Sequence, residues 1–489
     1  MNNSSNPSAV TADAVPPAWR RWLAYVAVAL MPISINIERI RGELKRPDYY
    51  GPFDVLLPVL ALFMLFDLFQ RASWARLKFP APATIIWAIL GLVSYFWLLG
   101  GKEAIPDWRN AALNPLVVVM ISSWVFSNIT NDPGEFRKLA LILCASFGIC
   151  VLWALYQYMG PVGVPYRHGD PSTLNTGATN MRIGGWYDNR MLFGAQAAMF
   201  VPAAAAFAAF DKDPLVKVLA AAMAIVALSV TMAVGGFIGA IAGIVAVAGA
   251  CIAVRNYSGG FALFGGVLIL VAFVLPHLPA KRSNGATLAR GLALFVKPDE
   301  NKDEMIPSPR LRRYQAALDF LSAHRDPMDE KTLPNWIVGA GAGRFTGKIN
   351  EFYNDAYYPK PGAKTDDEAA FDIQQHERDG YGLLEKTGME LGAVGLLALV
   401  FLFATWLMSA ARAFAAAGPG DFRTLALASL GACIGAAVVS VFAFPNQRGA
   451  SGGTFAFFFG LAAWLNARVN GRESTPPSQP IAAPSSAQN

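Results

Sequence analysis

A small set of side chains in this 489-residue chain has the types and spacing that chemistry on an anionic, hydroxyl-bearing substrate would need. His376 is one of four histidines, with His168, His277 and His324. An imidazole titrates near neutrality, at about 6.5, so it can take a proton from a sugar hydroxyl where few other side chains can. In a helical segment Asp379, three residues on, would share its face and orient the ring, with Arg378 beside it. Arg182 and Arg190 flank Gly184-Gly185-Trp186 ahead of an apolar run, with Gly194 one turn further. A guanidinium grips phosphate oxygens in a planar, two-pronged contact and keeps its charge, and glycine lets backbone approach a bulky ligand. Two readings stand for these arginines: phosphate ligands, or side chains snorkelling to a membrane interface. Arg310, Arg312 and Arg313 follow Ser308 and Pro309, a helix cap and a first-turn residue. Cations at a helix N-terminus oppose its dipole unless an anion sits there; a solvated basic face is the other reading.

Apart from Arg190 and Gly194, which open the apolar run that follows, these residues lie in two long connecting segments, 159–189 and 277–390, and long loops are uncommon unless they do something. Within the second, Leu311, Tyr314, Leu318 and Leu321 follow the spacing of an amphipathic helix. The glycine-rich stretch 336–345 is not a nucleotide loop, because Lys348 is followed by Ile349 rather than Ser or Thr and Ala342 stands where that loop needs glycine. It reads as a tight turn under the site. Asp366, Asp367 and Glu368 lack metal-ligand spacing and read as a solvated loop, so no metal is expected. The polar segment that carries His376 runs into Glu390-Leu391-Gly392-Ala393-Val394-Gly395 and then into a charge-free apolar span, 391–411. About 20 such residues cross a bilayer as a helix. The chemistry is therefore expected at the membrane surface.

Composition agrees with a membrane setting. The chain is 54% hydrophobic and only 15% charged, with a mean hydropathy of +0.37, whereas soluble domains carry about 25% charged residues. Apolar runs near 22–37, 53–70, 82–100, 113–130, 138–158, 190–210, 215–232, 236–254, 260–276, 391–411, 422–444 and 451–467 predict an all-α polytopic protein of about twelve transmembrane helices. The expected organisation is a disordered cytoplasmic N-terminus, 1–18; helices one to nine over 19–276, with the periplasmic loop 159–189; a large periplasmic loop domain with short helices, 277–390; helices ten to twelve over 391–470; and a disordered cytoplasmic tail, 471–489. The net charge of +6 does not indicate nucleic-acid binding. With the N-terminus inside, the inner loops carry Arg71, Arg76, Lys78, Arg137, Lys138, Lys212, Lys217, Arg255, Arg412 and Arg423, as the positive-inside rule asks. The outer segment 38–52 dissents, with Arg39, Arg41, Lys45 and Arg46 beside Glu38, Glu43 and Asp48. Those charges either pair at the interface or recruit an anionic lipid-linked substrate. Cys144, Cys150, Cys251 and Cys433 all fall in apolar runs, which gives no disulfide framework. The spans themselves are nearly charge-free, which favours surface chemistry over translocation.

The pattern resembles the O-antigen ligase/polymerase family. The resemblance covers roughly 140–410 and rests on Arg182-x-x-Gly185 ahead of the sixth span, Ser308-x-Arg310-x-x-x-Tyr314, the turn at Gly339 and Gly341, and Glu390 to Gly395. Each motif is short, and the match lies in their order and topology. The chain departs from the family pattern at His376, which stands 14 residues before Glu390 and is followed by Glu377. It departs again at 231–236, which has no arginine, and at Asn189-Arg190. The resemblance implies a bacterial inner-membrane, inverting glycosyltransferase that needs neither metal nor other cofactor. It would take a glycan from undecaprenyl diphosphate on the periplasmic face. Arg182 and Arg310 would grip the diphosphate and His376 would deprotonate the acceptor, with Arg190, Arg313, Arg378 and Asp379 as further substrate contacts. Polymerisation of exopolysaccharide or O-antigen repeats is the leading expectation. Ligation to lipid A–core, protein O-glycosylation with the same donor, and a flippase or exporter of lipid-linked glycan are the alternatives.

Overall fold

Each of the apolar runs carries a helix. The computed structural model describes residues 18–33, 35–41, 44–50, 52–71, 80–97, 116–159, 190–231, 233–269, 296–299, 302–307, 317–319, 321–322, 335–342, 382–443 and 449–473. The helices are α1 Ala18–Leu30, α2 Pro52–Arg71, α3 Pro82–Trp97, α4 Ser122–Asn128, α5 Pro133–Met159, α6 Arg190–Phe210 and α7 Pro214–Val230. They continue as α8 Val234–Ala253, α9 Tyr257–Ile269, the single turn α10 Asn335–Val338, α11 Leu383–Ala416, α12 Asp421–Val439 and α13 Gly449–Glu473. A π-helical turn over 116–121 leads into α4. Among the described residues, five helices (α5, α6, α8, α11 and α12) are long and apolar enough to cross a membrane. Large apolar side chains such as Leu62, Phe66, Leu152, Leu219, Phe261 and Leu397 face outward, a surface suited to lipid rather than water.

Two departures from the expected elements have local causes. Helix α1 ends at Leu30, not near 37, because Pro32 lacks a backbone donor and disfavours helical geometry at the residue before it. The chain then turns into an antiparallel hairpin, β1 Ile35–Arg41 with β2 Leu44–Tyr50, which pairs Arg39 with Arg46. The basic segment expected as a plain loop is therefore strand. A second hairpin, β3 Val296–Asp299 with β4 Lys302–Pro307, falls inside the long segment before α11. The all-helical expectation describes the bundle; the connecting segments add these strands. The amphipathic helix expected beyond Pro309 is described only at 317–319 and 321–322, both helical. There Ala317 is buried and Leu318 faces out.

The centre of the bundle is three helices brought together by small residues. Along α6, Gly194, Ala198 and Pro202 meet Gly236, Gly239 and Gly243 of α8 in the same order, so the two run parallel. Gly435 and Gly431 of α12 meet those pairs in reverse order, so α12 runs antiparallel. A Cβ at Gly236 would overlap the Gly194 backbone, and one at Gly435 would overlap the Ala198 carbonyl. Small residues repeating every three or four positions let helix backbones approach closely where lipid removes the usual hydrophobic drive. Around this centre, Trp406 of α11 donates to Ser429 of α12 at 2.9 Å, and Ser429 donates to the Phe458 carbonyl of α13 at 2.9 Å. Phe147 of α5 stacks on Phe200 of α6 at 4.3 Å between ring centres.

Successive helices alternate in direction, so their ends collect at two faces. One face gathers basic residues. Asp132 accepts from the Gly134 and Glu135 amides to start α5, and Asp213 accepts from Leu215 to start α7 behind Pro214. Arg20 donates to the Asn128 carbonyl at 2.8 Å, and Trp464 donates to Thr130 at 2.7 Å. The opposite face receives the ends of α5 and α9 and the starts of α6 and α11, so both long connecting segments open there.

Candidate functional site

At that second face the helix expected at 391–411 begins earlier, at Leu383, and is broken. Gly392 takes φ 61 and ψ −154 inside α11, a region open essentially to glycine alone. It divides α11 into a half-helix, 383–391, and the long membrane helix beyond. The sequence accounts for the break: Gly388, Gly392 and Gly395 follow one another at four and three positions, and a Cβ at Gly392 would strike the Ile337 carbonyl.

Both ends of the half-helix are held by backbone. At its start, Leu383 donates to the Ala443 carbonyl at 3.1 Å and Leu384 to Ser440 at 3.2 Å, so it begins where α12 ends. At its finish, Ala340 donates to Met389 at 2.7 Å and Gly341 donates to Glu390 at 2.9 Å. These are the carbonyls a broken helix leaves open. Gly339 and Gly341 both have positive φ, 70° and 100°, and a Cβ on Gly339 would meet the Glu390 carbonyl carbon. The glycine-rich turn expected under the site is thus a cap on the half-helix. Ser94, near the end of α3, accepts from the Ala342 amide at 2.9 Å and ties the same turn to a third element.

The half-helix is charged and enclosed. Glu385, Lys386 and Glu390 are 5%, 8% and 7% exposed. Lys386 Nζ stands 3.8 Å from Glu390 Oε1, one turn away. Ionisable side chains buried in a membrane bundle are costly and mark functional paths, so this pair is a site candidate that sequence reading passed over. The signal was present: a lysine and a glutamate at i and i+4 directly ahead of an apolar span share a helix face. The segment reads as loop when the span is started at its first uncharged residue, Leu391, and that same choice made the spans look almost free of charge.

Arg182, Arg310, Arg313, His376, Arg378 and Asp379 lie outside the described residues. Arg190 is the first residue of α6, at the face that carries the half-helix. Gly194, four residues on, packs against the backbone of Gly236, so its lack of a side chain serves helix packing. Gln196 of α6 is wholly buried, with neither carboxamide atom bonded among the described residues.

The basic face is chemically different. Arg137 holds Asp211 through Nε at 2.9 Å and its terminal nitrogen at 2.7 Å. It also reaches Asp421 at 3.6 Å, which Lys212 meets at 3.1 Å. Burial alone would push the Asp211 carboxyl up. The Arg137 guanidinium and the Asp213 amide, helped by Lys212, outweigh it and hold the group below its ordinary value. These charges tie α5, the α6–α7 turn and α12 together, and Arg423 donates to Ala417 at 3.0 Å across the α11–α12 turn. No family model matches this chain, and no curated protein matches it either.

Proposed function

We propose that the protein is an inner-membrane glycosyltransferase that moves a glycan from undecaprenyl diphosphate to an acceptor hydroxyl at the face carrying the half-helix. The reading makes that face periplasmic and takes about twelve helices across the bilayer. The acceptor oxygen forms the new bond to the anomeric carbon as the bond to the diphosphate breaks, inverting the centre. Its proton goes to His376, and undecaprenyl diphosphate leaves with its charge held by Arg182 and Arg310. Donors set in advance around a developing charge are usually the largest part of such a rate enhancement. Arg190, Arg313, Arg378 and Asp379 line the substrate path in this reading. Polymerisation of exopolysaccharide or O-antigen repeats comes first, then ligation to lipid A–core, then O-glycosylation of protein.

One observation carries the surface-chemistry half of this reading. The buried Lys386–Glu390 pair lies on a broken helix at the end of the bundle where both long connecting segments open. Glutamate and lysine at a mouth suit a surface reaction; a translocation path would set such groups midway through the spans. The rival reading, a flippase or exporter, draws on Gln196, a buried carboxamide inside α6.

The test is deletion of the gene, with surface glycan and lipid-linked precursor sized by gel and mass spectrometry. Single repeats left on undecaprenyl diphosphate or on the core support polymerisation. Long chains on undecaprenyl diphosphate beside bare core support ligation. Precursor confined to the cytoplasmic leaflet supports export, and unchanged glycans in a strain shown to make the polysaccharide overturn all of these.

A further inference from the structure

We propose that Ser94 of α3 is a positioning residue for this site, acting through the turn 339–342 on Lys386 and Glu390. The kinetic half of the proposal rests on the glycosyl-transfer reading; the structural half rests on the hydrogen bonds alone.

Ser94 Oγ accepts from the Ala342 amide at 2.9 Å, across 248 positions of chain. Ala342 is buried, and a buried N–H in apolar surroundings needs an acceptor. The residues just before it, Ala340 and Gly341, donate to Met389 and Glu390 and so cap the half-helix. Gly339 and Gly341 take positive φ, which glycine adopts without steric cost, so no side chain of theirs anchors the turn. A hydroxyl on α3 therefore anchors the peptide that fixes the end of the half-helix, and with it the register of Lys386 and Glu390 against the mouth. Remove the hydroxyl and Ala342 must move to a new acceptor. The half-helix follows, because two backbone bonds tie it to the turn. The groups lining a catalytic or binding site must be held to about 0.5 Å, and a misplacement of about 1 Å costs on the order of 100-fold in rate.

The experiment uses the full-length protein in lipid nanodiscs as wild type, Ser94→Ala and Ser94→Thr. Hydrogen exchange is followed over 337–342 and 383–391. Transfer kinetics are measured with undecaprenyl-diphosphate-linked repeat unit purified from the host. Ser94→Ala speeds exchange in both stretches while α6 and α8 exchange as in the wild type. It also lowers kcat about 10- to 100-fold with KM for the donor unchanged. Ser94→Thr, which keeps the acceptor oxygen, restores both. Wild-type exchange in Ser94→Ala overturns the proposal, as does a lower melting temperature with unchanged kcat per folded molecule, or a Thr variant as impaired as the Ala one. If the wild type transfers nothing, the glycosyl-transfer reading falls by itself, and Ser94 stands or falls on exchange.

Discussion

At the basic face Arg137 binds Asp211 with two short bonds and shares Asp421 with Lys212; at the loop face Lys386 stands 3.8 Å from Glu390 on a helix that breaks two residues later. Both faces bury charge. The first does so in a clasp whose partners sit on α5, the α6–α7 turn and α12, and the Arg137–Asp211 geometry is that of a tight, bidentate pair. The second sets its pair on one short helix whose two ends are tied by backbone bonds to α12 and to the turn 339–342. A clasp between elements explains itself as architecture. The second pair sits within one helix at the opening of the long connecting segments, and that position is the reason to look for function at the loop face.

The comparison breaks most sharply under paired substitution. Lys386→Met and Arg137→Met each remove the cation of one buried pair, and breaking a buried pair costs about 3–5 kcal/mol. Replacing both members by apolar residues is often neutral, so Arg137→Met/Asp211→Leu should regain most of its melting temperature and, on the proposed glycosyl-transfer reading, keep wild-type transfer. On the proposed glycosyl-transfer reading, Lys386→Met/Glu390→Leu should regain stability and lose transfer by about 100-fold, the cost of a misplaced site. Equal activity in the two double variants would make the loop-face pair structural as well.

Gly392→Ala comes next. Its φ of 61 and ψ of −154 cost a residue with a Cβ about 1–3 kcal/mol, before the overlap with the Ile337 carbonyl. The variant should melt earlier and exchange faster over 383–391, while α6, α8 and α12 keep wild-type protection. Uniform loss of protection across the bundle would mean that the break is part of the core rather than a local device.

The smallest effect is a pH dependence confined to the basic face. The Asp211 carboxyl titrates lower in the folded protein than in the unfolded chain. Its stabilisation is therefore fully present above the unfolded value, about 3.9, and is lost as pH falls through the lower folded value. Thermal stability should drop on that acid limb, and Asp211→Asn should flatten the drop while lowering stability at neutral pH. A drop centred near pH 6 in the wild type would point away from Asp211 and towards a histidine.

The helices were legible because their signal is local. Runs such as 190–210 and 236–254 are apolar over the length of a span, and α6 and α8 follow them within a few residues. Local chemistry also made the glycine-rich turn readable: Gly339 and Gly341 call for a backbone that other residues resist, and both take positive φ. The hairpin Ile35–Arg41 with Leu44–Tyr50 was missed because basic side chains dominate the composition of that stretch, whereas strand pairing depends on register. The early start of α11 was missed for a related reason. Glu385, Lys386 and Glu390 are polar by composition and buried by context.

By itself the sequence determined that the chain is helical and suited to a membrane, where its apolar runs fall, and which glycines permit close approach or a turn, since hydropathy and backbone freedom are properties of short stretches. Only the tertiary structure decided that Gly194 meets Gly236 and Gly435 meets Ala198 in one three-helix packing, that α11 is two pieces, and that Ser94 meets Ala342 across 248 positions. Those pairings join residues far apart in the chain, and their energies depend on which backbone groups packing leaves without water.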